Sequence, residues 1–356
     1  MEDTYNKGKK VHRPATPGAH ASDEPTAAAG STADSAADSI DAIYQRVRQQ
    51  FGQVDEHPAA GAGDAAARIE PTQLSAGVVV CALRTPTLPP ATHTNVYVIG
   101  DRELVIIDPA SPFAPEQRGF DAWLDGYLGA GRRVREILLT HHHGDHVGGA
   151  RHLSERLSVP IAAHPETGRK LRGIIEIDRE VEDGERWQLA GDPECSLVAV
   201  YTPGHAPGHL CFFEERSGAL IAGDMIAGVG TILIEPTEGD MRAYLGSLAR
   251  LRALAPAALL PAHGPSIGAP NGAGGPGSDA DAKIEEYIEH RLWREQRVLG
   301  ALASASGATS AALVKVAYAD VPAAIHPLAE RSLIAHLVKL AEDGRAEADG
   351  ERWRAT

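Results

Sequence analysis

The chain has 356 residues, 43% of them hydrophobic, and 34 Lys and Arg against 48 Asp and Glu, a formal net charge of −14. That length suits about two domains, and no run reaches the roughly 18 apolar residues of a membrane span. Met1 to Arg13 is polar, without the apolar stretch of a signal peptide, so a cytoplasmic protein with no membrane partner is expected.

The acidic balance disfavours nonspecific attachment to phosphate backbones. Cys81, Cys195 and Cys211 lie far apart in apolar runs and predict buried thiols, not a disulfide framework. Residues 1–70 read as a disordered tail rich in Ala, Ser, Asp, Gly and Pro, which cannot bury enough surface to offset ordering entropy. Within it Ile40, Ile43, Tyr44, Val47 and Phe51 fall on one stripe and predict an amphipathic helix over about 39–52.

A first globular domain spans 72–268. Short β-type runs at 78–83, 95–99 and 103–108 open a sheet, a helix follows at about 117–129, and a strand at 134–140 precedes a helix at 147–157. Between the last two stand His141, His142, His143, Gly144, Asp145 and His146. His141 and His143 are two apart, so on an extended segment their rings share a side and His142 points to the other. Gly144 lets the backbone turn, bringing Asp145 and His146 to the same small volume. Imidazoles with one carboxylate suit zinc or a similar divalent ion.

A strand at 160–163 ends at His164, which reads as a structural or surface histidine. Three later strands also end on one polar group each: 196–201 before His205, 219–223 before Asp224, and 257–261 before His263. Polar groups at the ends of neighbouring buried strands are how sheet-based enzymes mount a site on a rigid frame.

In that order the seven residues resemble the metallo-β-lactamase superfamily pattern of His-x-His-x-Asp-His, then His, Asp and His. The resemblance implies an α/β fold, a four-layer αββα sandwich. It also implies one metal held by His141, His143 and His205, a second by Asp145, His146 and His263, and Asp224 bridging both. His142 faces away by alternation and His209 heads an apolar strand, so both read as supporting or structural residues.

A Gly/Pro linker is expected at 269–282. Within 283–356, a long helix, helices at 309–319 and 322–342, and a hairpin about Asp349 and Gly350 predict a winged helix. This order, with Tyr287, Ile288, His290, Arg291, Arg294, Glu295 and Gln296, resembles the β-lactamase-like protein 2 family, whose described members include an endoribonuclease on single-stranded RNA.

A pair of divalent ions, zinc first, implies a hydrolase using a metal-bound hydroxide, with Asp145 both ligating and orienting the nucleophile. The motif does not choose the substrate. Single-stranded RNA is the first reading. A thioester such as an acyl-glutathione or acyl-coenzyme A is the second, because glyoxalase II-type enzymes share the elements around His205 and Asp224. A winged-helix nucleic-acid-binding protein is the third. Residues 283–356 hold 10 Lys or Arg against 11 Asp or Glu, which argues against duplex DNA as a partner.

Overall fold

The structure, a computed structural model, describes residues 65–129 and 131–356. The expected disordered stretch up to residue 64, with its helix at about 39–52, lies outside the described residues. Two sheets carry the first domain. The first orders β1 (Thr72–Ser75), β2 (Val78–Arg84), β3 (His93–Gly100), β4 (Glu103–Ile107), β5 (Arg133–Leu138), β6 (Ile161–Ala163) and β7 (Arg179–Glu180) as neighbours, antiparallel to β4 and parallel beyond it. The second orders β13 (Ile267–Gly268), β12 (Ala258–Pro261), β11 (Ala219–Gly223), β10 (Leu210–Glu214), β9 (Cys195–Tyr201) and β8 (Arg186–Leu189), with only β11 and β12 parallel.

Strand alternation explains the stacking. Val105 and Ile107 of β4 and Ile221 and Leu260 of the second sheet meet in one core between the sheets. The alternate residues, Leu104 and Ile106, face outward onto helices α1 (Ala114–Leu128), α2 (Gly144–Val147), α3 (Ala150–Leu157) and α4 (Pro165–Leu171). Leu220 and Leu259 face outward onto α5 (Met241–Ala253) and the first half of α6 (Asp279–Ala303). Each fully buried Leu or Ile contributes roughly 1.5–3 kcal/mol, so even the short β12 is pinned from both faces. Four layers result, as the resemblance implied.

The second half of α6 gives Val298, Ala301 and Leu302 to a separate core with α7 (Ser310–Ala317) and α8 (His326–Glu342). A small sheet, β14 (Ala308–Thr309), β16 (Arg352–Ala355) and β15 (Ala346–Asp349), closes it. Three helices and a wing stand where the sequence placed them. Cys81, Cys195 and Cys211 are free and buried, and burial pushes each thiol up to about 12.

Several expectations are corrected. The tail does not extend to 70: Ala67 donates its N–H to Pro115 O at 2.8 Å, and Ile69 packs against the α1 side of the core. Residues 269–282 are not linker throughout, because the Ser278 side chain accepts from Asp281 N–H and starts α6 at Asp279. The helix expected over 147–157 is interrupted at Gly148 and Gly149. A Cβ there would meet Ala110 O at 2.7 Å and Pro109 O at 2.6 Å, so the chain presses its bare backbone on that segment. Helices α4 and α5 and strands β1, β7, β8, β13 and β14 were not anticipated. Among the described residues no helix is long and apolar enough to cross a membrane.

Candidate metal centre

The site lies where the two sheets' strand ends meet. His141, His143, Asp145 and His146 follow β5 of the first sheet, while His205, Asp224 and His263 follow β9, β11 and β12 of the second. All seven come together. His141 Nε2 is 2.9 Å from His143 Nδ1, which is 3.0 Å from His205 Nε2. Asp145 lies 3.5 Å from His263 Nε2 and 4.0 Å from His146 Nε2. Asp224 spans both groups, with Oδ1 3.5 Å from His146 and 3.4 Å from His263, and Oδ2 3.5 Å from His205.

The outer nitrogens show which way each lone pair points. His205 Nδ1 donates to Leu233 O at 2.9 Å and His263 Nδ1 to His93 O at 3.1 Å. His146 Nδ1 donates to Asp108 Oδ2 at 2.8 Å. The Thr140 hydroxyl donates to that same oxygen at 2.6 Å, so it accepts from His141 Nδ1 at 3.0 Å. His143 Nε2 faces Glu238 Oε2 at 3.4 Å. Each proton therefore sits on the outer nitrogen, with tautomers assigned from these partners, and five inner nitrogens present lone pairs to one volume. His146 Nε2 and Asp224 Oδ1 are buried with no hydrogen-bond partner. Buried donors and acceptors are nearly always satisfied, and a borderline cation satisfies this nitrogen and oxygen set. The residues fit a metal.

Electrostatics agree. Burial, with neighbouring imidazoles adding to it, holds His141 well below the usual value. His205 is lowered to about 4 by burial and by His143. Burial pushes the Asp145 and Asp224 carboxyls up, but His146 and His263 outweigh it and hold both below the usual range. Burial pulls His146 down, yet Asp224, Asp145 and Asp108 outweigh it and keep that imidazole well above its ordinary value. The second proton that this favours would sit on Nε2, and a cation bound here would displace it, take over its charge and meet the lone pair it leaves.

His142 points away from this cluster, with Nε2 2.8 Å from Glu238 Oε2. His209 is fixed at both nitrogens: Nε2 accepts from Asp224 N–H at 3.1 Å, and Nδ1 donates to Thr202 Oγ1 at 2.8 Å. It has no lone pair to spare and braces the Asp224 backbone. His164 stacks on Tyr201 with centroids 4.4 Å apart and caps α4 through Glu166 N–H.

Two contributors escaped the sequence reading. Asp108 is buried and accepts from Thr140 N–H, Thr140 Oγ1–H and His146 Nδ1–H; its signal was a strand ending on Asp, as at Asp224. Glu238 accepts from His142, His143 and Lys170, and its bonds to the two histidines hold it far below the carboxylate range against burial. It sits in a loop without periodicity that offered no signal.

A family model described as the metallo-beta-lactamase superfamily matches residues 89–263, and one for the beta-lactamase associated winged helix domain matches 309–353. The chain is 31% identical over 286 residues to the lactamase-like protein adaB of Aspergillus niger, covering 74% of this chain and 80% of that protein. It is 28% identical to the beta-lactamase-like protein 2 homolog of Caenorhabditis elegans, over 71% and 80% of the two chains. It is also 30% identical to the atrochrysone carboxyl ACP thioesterase of Aspergillus chevalieri, over 59% and 60%. Among solved structures, a beta-lactamase domain protein from Burkholderia ambifaria shares the fold with a TM-score of 0.67 at 21% identity, over 86% of this chain and 96% of that one.

Proposed function

The chain belongs to the metallo-beta-lactamase superfamily of hydrolases and carries its associated winged helix; from that premise we propose that it is a binuclear, zinc-dependent hydrolase of thioesters. The observation that carries the metal dependence is the set of five imidazoles whose outer nitrogens are all engaged while the inner ones face Asp145 and Asp224. His141, His143 and His205 would hold one ion, Asp145, His146 and His263 the other, and Asp224 both. Ions held there would supply positive charge to polarise the scissile group and to activate water near neutral pH.

The chain's own residues then set the geometry. Asp145 is ionised, and its side chain is 18% exposed, so it can orient a water molecule that reaches it from solvent. His209 and Gly223 fix where Asp224 stands. Water oxygen bonds to the thioester carbonyl carbon, the C–S bond breaks, and the thiol leaves with a proton.

The charges of the winged helix favour this substrate over a polyanion. Arg331 is tied to Glu235, Lys339 to Glu295 and Asp343, Arg294 to Asp320, and Arg354 to Glu347. These four cations are paired with carboxylates, which leaves the winged helix with less free positive charge to offer a phosphate backbone. The relative named for acyl-carrier thioester cleavage supports the same reading.

Cleavage of single-stranded RNA is the second reading, favoured by Arg151, Arg169, Lys170 and Arg172 on and beside α3 and α4, whose Lys170 reaches Glu238. The discriminating experiment loads the protein with zinc and offers acyl-glutathione, acyl-coenzyme A and an acyl carrier thioester, read by a chromogenic thiol reagent, beside an end-labelled single-stranded oligonucleotide. Thiol release above a His143→Ala control supports the thioester reading. Oligonucleotide cleavage alone replaces it with the second.

A further inference from the structure

The winged helix reaches the metal centre through one loop. Beyond Asp224, residues 225–240 lead from β11 to α5 and hold three of the imidazoles: Leu233 O accepts from His205 Nδ1, and Glu238 accepts from His142 and His143. The loop contains no helix or strand, and Val229 is 38% exposed. Its shape is imposed from outside. The Tyr287 hydroxyl of α6 accepts from Ala227 N–H at 3.0 Å and lies 3.2 Å from Ala227 O. Arg291 of α6 donates to Ile232 O at 2.5 Å. Arg331 of α8 donates to Glu235 through Nε at 2.7 Å and also through its Nη2.

Glu235 is the pivot of the turn that presents Glu238. Its other carboxylate oxygen accepts from Thr237 N–H at 2.9 Å, and its carbonyl accepts from Glu238 N–H at 3.2 Å and Gly239 N–H at 2.6 Å. An ion pair whose carboxylate is only 12% exposed holds better than a fully solvated one. A planar guanidinium donating twice to that carboxylate fixes its direction as well as its distance.

We propose that Arg331 is a positioning residue for the metal centre: through Glu235 it holds the 231–238 segment so that Leu233 O and Glu238 aim His205 and His143. The winged helix is thus a clamp on the ligand set. This rests on the reading that those histidines bind metal.

The test uses the full-length protein, stripped of metal and titrated with cobalt(II), with visible absorption reporting binding and a melt reporting stability. Arg331→Ala should weaken cobalt binding about three- to tenfold, below the 10–100-fold typical of removing a residue that bonds a ligand directly. Arg331→Lys should restore part of the loss, and Glu235→Gln should match the alanine variant. Arg242→Ala is the control. Arg242 joins α5 to Glu342 and Asp343 at the end of α8, at 3.1 and 2.5 Å, without touching the loop, and should leave cobalt binding unchanged. If Arg331→Ala and Arg242→Ala bind cobalt within twofold of each other, the clamp is overturned. If the unsubstituted protein gives no cobalt spectrum, the metal-centre reading fails first.

Discussion

Asp108→Asn is the sharpest probe of how the site is built. Asp108 is 2% exposed and accepts from Thr140 N–H at 2.7 Å, Thr140 Oγ1–H at 2.6 Å and His146 Nδ1–H at 2.8 Å. Its φ of +50° is one that Asn tolerates, so the swap changes hydrogen bonding and not backbone strain. The amide oxygen can still take Thr140 N–H, but an NH2 then faces the Thr140 hydroxyl and the His146 N–H, both donors. Two hydrogen bonds to a charged acceptor, each about 1.5–3 kcal/mol, are lost, so stability should fall by roughly 3–6 kcal/mol before relaxation. His146 can recover by moving its proton to Nε2, which removes a lone pair from the cluster. Metal affinity should then drop about 10–100-fold. Urea midpoints of the metal-free protein and calorimetric zinc titration measure the two effects separately. Asp121→Asn, at a partly exposed His152 pair of the same 2.8 Å length, is the control and should cost less, about 1 kcal/mol. If Asp108→Asn keeps two zinc equivalents at the original affinity, the lone-pair argument for the whole cluster is wrong.

Three further outcomes are expected. Gly223→Ala puts a Cβ 2.6 Å from His209 Nε2 and 3.2 Å from Thr140 Cβ at a φ of +51°; left-handed strain and overpacking together should cost roughly 2–5 kcal/mol in denaturant unfolding, and a loss under about 1 kcal/mol would contradict the packing. His142→Ala should reduce hydrolysis less than about tenfold, whereas His141→Ala and His143→Ala should leave only background; equal losses in the same assay would overturn the alternation argument. His336, 0% exposed in α8, is lowered from 6.5 to about 3 by burial and by Arg291, Lys339, Arg294 and His290, with Glu295 4.0 Å away. Its folded pKa is depressed, so the stability it contributes is present above 6.5 and is lost as pH falls toward about 3, at up to about 1.4 kcal/mol per unit. His336→Leu should flatten the fall in urea midpoint between pH 7 and 5, and parallel curves would refute this.

What could be read from the sequence depended on whether a signal was local. The His141 to His146 quartet and the three later strand ends were legible because each candidate ligand stands within a few residues of the end of an apolar run. Asp108 follows such a run too, but only the fold brings it to His146 and Thr140, and an Asp before a proline reads as an ordinary turn. Helix α5 did carry a signal in Met241, Tyr244, Leu248 and Leu251, all buried on one face, with Asp240 accepting from Ala243 N–H at its start. Helix α4 carried little, with Thr167 and Leu171 its only buried residues. The two-residue strands β7, β13 and β14 have no period to read, since partners alone define them.

Neither proposed ligand trio belongs to one sheet. His141 and His143 need His205, and Asp145 and His146 need His263, so the centre is the seam of the sandwich. The seam is closed by the protein itself. Asn95 N–H donates to Ala262 O at 2.8 Å, and its side chain donates to Pro261 O and Gly264 O at 2.9 Å each, on either side of His263. The Tyr97 hydroxyl donates to Pro261 O at 2.8 Å, and Leu210 N–H donates to Thr140 O at 2.8 Å, beside His141 and His209. Bonds between buried polar groups at the seam hold the two halves in register. The proposed ligand set is therefore organised by the fold, and an ion would only complete it, unlike small domains in which metal binding is the folding free energy. That rigidity is what lets Asp108, His209 and the loop clamped by Arg331 tune single imidazoles without rebuilding the frame.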